Sequence, residues 1–203
     1  MLSDNRYILD FHSGEPIPMY SYIYHEYVNN FMGNQISCGL LSGERYGYTY
    51  RMAYSFIAGD LYTYIIDGNG KTHIAWCNDE IISDEMPNRL IKNTNKWRIG
   101  HFERFLHYGK MVKPLPYECG TKHMTFVWTP YREFNFRAVL SLAYTDGKET
   151  YQFFINYDDV EEKVVMKNVS QLGIVKTPDG KLEVIKGNEF VVPPLSMVAI
   201  KIK

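Results

Sequence analysis

The chain carries almost no net charge. Its 203 residues hold 22 Lys plus Arg against 23 Asp plus Glu, for a formal charge of -1. That balance gives no electrostatic reason for nucleic acid or an anionic membrane as a partner. Cysteine is scarce. Cys38, Cys77 and Cys119 are widely spaced and odd in number, so they form neither a disulfide framework nor a zinc site. No apolar run approaches the ~20 residues needed to cross a bilayer. Met1-Leu2-Ser3-Asp4-Asn5-Arg6 lacks the apolar centre of a signal peptide, and the compartment stays open. Several catalytic signatures are missing as well: there is no Ser/His/Asp order, no nucleophile elbow and no Gly-rich phosphate loop. Asp67-Gly68-Asn69-Gly70 has the residue types of a calcium loop, but the later ligands and the terminal Glu do not follow. No metal and no cofactor is expected.

Aromatic residues are abundant. Tyr (17), Phe (11) and Trp (3) together make 15% of the chain. Aromatic clefts suit sugars, because the C–H faces of a pyranose pack on rings while its hydroxyls need polar partners. Tyrosines also fill cores while keeping their hydroxyls at the surface.

One stretch organises the rest: Pro16-Ile17-Pro18-Met19-Tyr20-Ser21-Tyr22-Ile23-Tyr24-His25-Glu26-Tyr27. After Pro18 its composition favours a strand over 18–25, with His25 and Glu26 at the C-terminal end. In parallel α/β folds that end is where ligands bind. Before it, Tyr7–His12 reads as a short strand. Residues 28–45 read mostly as loop. Tyr48–Ala58 has helical spacing and stops at Gly59. Leu61–Ile66 and Thr72–Trp76 flank a turn and read as a hairpin. Asn88–Tyr108 reads as one long helix with a stripe of Leu90, Thr94, Trp97, His101, Phe105 and Tyr108, stopped by Gly109. On that stripe His101 is expected to be a packed, hydrogen-bonded residue.

Pro114-Leu115-Pro116 marks the expected domain boundary, since the periodicity then changes from about 3.6 to about 2. Strands are predicted over His123–Thr129, Phe136–Tyr144, Thr150–Asn156, Glu161–Met166, Gly173–Thr177, Leu182–Lys186 and Met197–Ile202. Short strands separated by turns at this spacing imply an antiparallel sandwich.

In these motifs the chain resembles the C-terminal portion of a group of bacterial glycoside-hydrolase-like proteins. The Ile17-to-Tyr27 stretch looks like a late barrel strand of that family, and Phe105-Leu106-His107-Tyr108-Gly109-Lys110-Met111 looks like the end of its final barrel helix. Phe153-Phe154-Ile155-Asn156-Tyr157 resembles a strand of the family's C-terminal sandwich, and Phe190–Val198, with its Pro193-Pro194-Leu195-Ser196 turn, resembles the closing strand. The resemblance implies an α+β chain: a late barrel-like α/β segment over 1–116 and an antiparallel β-sandwich over 117–203. A closed barrel needs about 250 residues, so most of the barrel is missing, and the chain is expected to be an incomplete enzyme.

Glycoside hydrolysis usually uses two carboxyl groups flanking the bond. Glu26 is the first catalytic candidate and Asp60 the second. His25, Tyr24, Tyr62 and Trp76 are the candidate sugar-binding residues. The expected function is one wall of a sugar site, braced by the sandwich. The alternative is a non-catalytic carbohydrate-binding or protein-interaction module. The expected partners are carbohydrate and either the missing barrel portion or a second copy of the chain.

Overall fold

A computed structural model describes residues 17–30, 47–62, 65–66, 68–70, 72–73, 85–125 and 133–202. The chain is α+β: among the described residues, helices are confined to the part before residue 110 and antiparallel strands dominate after it. Every strand pairing among the described residues is antiparallel.

Met19–Tyr24 is a helix, α1, and not the expected strand. Tyr22 N–H donates to the Pro18 carbonyl (2.8 Å) and His25 N–H to that of Ser21 (3.0 Å). Among the described residues no strand pairs with this segment. A helical turn satisfies its N–H groups internally, which outweighs the weak strand preference of Tyr and Ile.

Helix α2 (Gly47–Ile57) forms where it was expected. Every residue from Thr49 to Ala58 is buried, so α2 is a core helix. Its end is a Schellman motif: Asp60 N–H bonds Ser55 O, and Gly59 N–H bonds Phe56 O. Gly59 sits at φ +106°, the left-handed region that favours glycine.

The long helix expected over Asn88–Tyr108 is three pieces: α3 (Glu85–Thr94), a 3-10 turn (Asn95–Arg98) and a short α4 (Glu103–Leu106). Thr94 Oγ1 donates back to Leu90 O at 2.7 Å as the helix tightens. Ile99 is then extended and Gly100 takes φ +84°. This break changes which residues face inward. Leu90, Trp97, Phe102, Phe105 and Leu106 are buried, while His101 and Tyr108 are exposed. His101 is packed as expected, against Gly180, but on the surface and not on the buried face. Its ring stands edge-on to Phe102 and Tyr151 at the surface.

A two-residue hairpin, β1 (Ile65–Ile66) with β2 (Thr72–His73), lies within the expected one. The remaining strands are β3 (Lys110–Val112), β4 (Tyr117–Cys119), β5 (Thr121–Thr125), β6 (Glu133–Arg137), β7 (Val139–Thr145), β8 (Thr150–Asn156), β9 (Glu162–Met166), β10 (Gln171–Val175), β11 (Leu182–Lys186), β12 (Glu189–Val192) and β13 (Ser196–Lys201). They form a six-stranded sheet ordered β11-β10-β13-β8-β7-β3, a three-stranded sheet ordered β12-β9-β4, and the hairpin β5-β6.

The six-stranded sheet is apolar on both faces. On β8, Tyr151, Phe153 and Ile155 pack with the helices, whereas Phe154 packs with Val164, Met166, Phe190 and Val192 of the smaller sheet. On β13, Met197 and Ala199 share the first face, and Val198 and Ile200 the second. This alternation follows from the strand period of two. It explains why Phe153, Phe154 and Ile155 are apolar in succession.

Residues 114–116, where the boundary was placed, lie between β3 and β4. β3 precedes that boundary yet pairs with β7. The loop is clasped by the fully buried Gln152. Leu115 N–H donates to Gln152 Oε1 (2.8 Å), and Gln152 Nε2 donates to Leu115 O (3.1 Å) and to Ser141 Oγ (2.9 Å). In the Pro-Pro-Leu-Ser turn, Leu195 is wholly buried at φ +46°. Its carbonyl accepts Asn93 Nδ2–H from α3 at 2.9 Å, and its N–H donates to Asp158 O at 2.9 Å.

A buried polar hub at two helix ends

The last carbonyls of a helix have no partner within it. At and just past the end of α2 the carbonyls of Phe56, Gly59 and Asp60 converge on one side chain, Arg98, which is 3% exposed. Arg98 Nη2 donates to Phe56 O (2.5 Å) and Asp60 O (2.7 Å). Nη1 donates to Gly59 O and to Leu106 O at the end of α4, both at 3.0 Å. Tyr144 OH, from β7, donates to Ile57 O at 2.6 Å. A cation at a helix C-terminus also meets the negative end of the helix dipole. The guanidinium lies 4.4 Å from the centre of the Phe56 ring.

Burial brings the Arg98 pKa down to about 10 despite the opposing influence of Tyr144, Tyr62 and Asp60, so it stays cationic near neutrality. Burial pushes the Tyr144 phenol well above its ordinary range, so it remains a hydrogen-bond donor.

His25 closes the hub. It is 5% exposed, with Nδ1 2.7 Å from Gly109 O and Nε2 3.1 Å from Leu106 O. Its ring lies 4.6 Å from that of Tyr144. It also lies so close to Gly59 that a Cβ there would stand 2.0 Å from the ring. Tyr62 stacks on Phe56 with ring centres 5.0 Å apart. Because Thr94 gives its proton to Leu90 O, the 2.9 Å contact between Tyr62 OH and Thr94 Oγ1 has Tyr62 as donor.

Of the candidates read from the sequence, His25, Asp60 and Tyr62 therefore meet around Arg98. Asp60 is 2% exposed, so its carboxyl is shut away from a sugar in solution in this arrangement. Glu26 follows His25 and is half-buried at the surface. Tyr24 is exposed, with its ring centre 4.9 Å from that of Tyr20. Trp76 lies outside the described residues. Sequence reading missed Arg98 and Tyr144. Arg98 fell off the stripe of an unbroken helix, and Gly100 was the signal that the helix would break. Tyr144 was read only as the end of a strand.

Among the described residues no group of three or more His, Cys, Asp or Glu could hold a metal, and no helix is long and apolar enough to cross a membrane. Compared with known proteins, the chain matches no family model, no curated protein and no solved structure.

Proposed function

We propose that this chain is the C-terminal part of a glycoside-hydrolase-like, carbohydrate-active protein, and that it supplies one wall of a sugar site and no complete catalytic pair. In this reading residues 117–203 form a β-sandwich that braces the late barrel segment. The observation that carries it is the contrast between the two candidate acids. Glu26 is partly exposed and has the exposed Tyr22, Tyr24 and Tyr27 near it in the chain, whereas Asp60 is buried, with its main-chain carbonyl held by Arg98. A partly exposed acid in a segment rich in exposed tyrosines can hydrogen-bond sugar hydroxyls while the rings take the C–H faces. A second acid for bond cleavage would come from the missing barrel portion.

The test is saturation-transfer NMR of the purified chain against a panel of neutral oligosaccharides, with hydrolysis followed in parallel. The expected result is millimolar binding that is lost in Tyr24→Ala and Glu26→Gln, without turnover. Turnover by the chain alone would overturn the proposed division of labour. Absence of binding across the panel would overturn the sugar wall and leave the protein-interaction reading. The exposed Ile17, Met19 and Ile23 favour that second reading, because they offer a partner an apolar face.

A further inference from the structure

The stretch Asp67-Gly68-Asn69-Gly70 lies outside both the hub and the sugar reading. An asparagine followed by glycine carries a chemistry of its own. The next main-chain nitrogen can attack the side-chain amide, and glycine has no Cβ to hinder the approach. Asn69-Gly70 is the one Asn-Gly pair of the sequence. It lies in the loop between Ile66 and Thr72, which are partners across β1 and β2. Gly68, Asn69 and Gly70 are exposed, and a Cβ on either glycine would meet no atom within 4 Å. The described pairs of the hairpin are Ile65–His73 and Ile66–Thr72, and Ile66 is itself exposed. The open space over both glycines leaves the Asn69 side chain room to turn toward the Gly70 nitrogen.

Two related turns of the β region are built differently. At Asp146-Gly147 the side chain is a carboxylate, a poor electrophile when ionised. Its Oδ1 accepts the N–H groups of Lys148 (2.9 Å) and Glu149 (2.7 Å), and its Oδ2 pairs with Arg104 at 2.9 Å. Gly147 N–H donates to Thr145 Oγ1 at 3.1 Å. At Asp179-Gly180, Asp179 Oδ1 accepts from Thr177 Oγ1 and from Lys181 N–H. His101 covers Gly180, with a ring atom 2.4 Å from where a Cβ would stand. Both of these turns are locked, and both lack a leaving amide. Asn69-Gly70 has the amide and stands in the open.

We propose that Asn69 is a site of intramolecular deamidation, a slow self-modification that converts Asn69-Gly70 to an isoaspartyl or aspartyl linkage. The Gly70 N–H gives its proton to hydroxide, and the nitrogen bonds to Asn69 Cγ. The Cγ–Nδ2 bond breaks and the amide leaves as ammonia, closing a cyclic succinimide. Water then opens the ring. Cleavage between the Gly70 nitrogen and the Asn69 main-chain carbonyl carbon leaves isoaspartate, with Cβ now in the main chain. Cleavage between that nitrogen and Cγ leaves aspartate. Either product adds a carboxylate to a stretch whose sequence already holds Asp67. This inference does not depend on the sugar reading.

The test is incubation of the full chain at pH 7 and pH 8, followed by digestion and mass spectrometry that locates each amide-to-acid conversion and separates isoaspartate from aspartate. A synthetic peptide of residues 65–73 is incubated beside it. The folded chain is expected to convert Asn69 within about tenfold of the peptide's rate, because opening an exposed loop costs little. Asn69 is expected to convert at least about tenfold faster than Asn93, Asn156 or Asn188, whose next residues all carry a Cβ. Conversion is expected to be about tenfold faster at pH 8 than at pH 7, because hydroxide frees the attacking nitrogen. Asn69→Gln is expected to gain no isoaspartate over 65–73. Four results would overturn the proposal. They are conversion more than about tenfold slower than in the peptide, equal conversion at one of the other three asparagines, aspartate without isoaspartate, and isoaspartate in Asn69→Gln at the wild-type rate. The last would assign the reaction to Asp67-Gly68.

Discussion

On β8, Tyr151, Phe153 and Ile155 are covered by helices and Phe154 by the smaller sheet, so each side chain lies where strand alternation puts it. Around Arg98 the order is different. Side chains from the 3-10 turn, β7 and the residue after α1 converge on carbonyls left over by α2 and α4. The sheets are held mainly by apolar faces that many residues share. The helical part shares its apolar core with one face of the six-stranded sheet, but its two helix ends meet through a few buried hydrogen bonds. Apolar burial is roughly additive and tolerant, whereas a buried polar network fails when one member is removed, because its partners are left without bonds.

Arg98→Met is the sharpest way to break this contrast. It removes the donor shared by four carbonyls, and a loss of about 4 kcal/mol or more is expected. Residue-resolved hydrogen exchange should show the helices losing protection before β8 and β13 do. Equal loss everywhere would mean that the hub stabilises the whole chain. Phe154→Ala attacks the other region. It should cost about 3 kcal/mol in urea unfolding and loosen the two sheets from each other, leaving α2 protected.

Gln152→Ala orphans the Leu115 N–H and carbonyl. A cost of about 2 kcal/mol is expected, with faster proteolysis at residues 113–116. Gln152→Glu keeps an acceptor but loses the donor and buries an acid against the Leu115 carbonyl, so it should cost at least as much as the alanine.

The two regions should also part with pH. His25 and His107 are bases held below their ordinary 6.5 in the fold, mainly by burial. The unfolded chain therefore binds protons first as the pH falls. Stability supported by their neutral forms is complete above that value and is lost as the pH falls through it. At the β7–β8 turn the carboxylates are held low. Asp146 is held chiefly by the Glu149 N–H, and Glu149 chiefly by Lys201 and then by Arg104. Their contribution is complete above the ordinary 4.5 of Glu and is lost only as the pH falls below it. Thermal unfolding at pH 5.5 should thus weaken the helical part while the turn network persists. The smallest effect is expected at the exposed Lys176–Glu183 pair, 2.8 Å apart, where Glu183→Ala should leave the unfolding midpoint unchanged.

Much of the β region was legible in the sequence, because strand period and turn residues are local signals. Thr150–Asn156 and Leu182–Lys186 are strands at the expected bounds. Asn156, singled out by resemblance, turns out to be a buried linker: its Nδ2 donates to Val160 O (2.7 Å) and Val192 O (3.2 Å). The helical region was legible for α2, whose end Gly59 marks, and in part for α3 and the hairpin. The segment at 19–24 has the composition of a strand but lacks a described neighbour to pair with. The helix read over 88–108 breaks because Gly100 can take a positive φ, a choice that periodicity does not reveal.

The sequence by itself determined the near-neutral charge, the change of period near residue 116 and the residue types around the hub: His25, Asp60, Tyr62, Arg98 and Tyr144. Only the tertiary structure decided that these side chains meet, that Asp60 is sealed while Glu26 is not, and that Arg98 turns inward. The reason is that orphan carbonyls of helices far apart in sequence require donors, and which donors reach them depends on how the helices and the sheet pack.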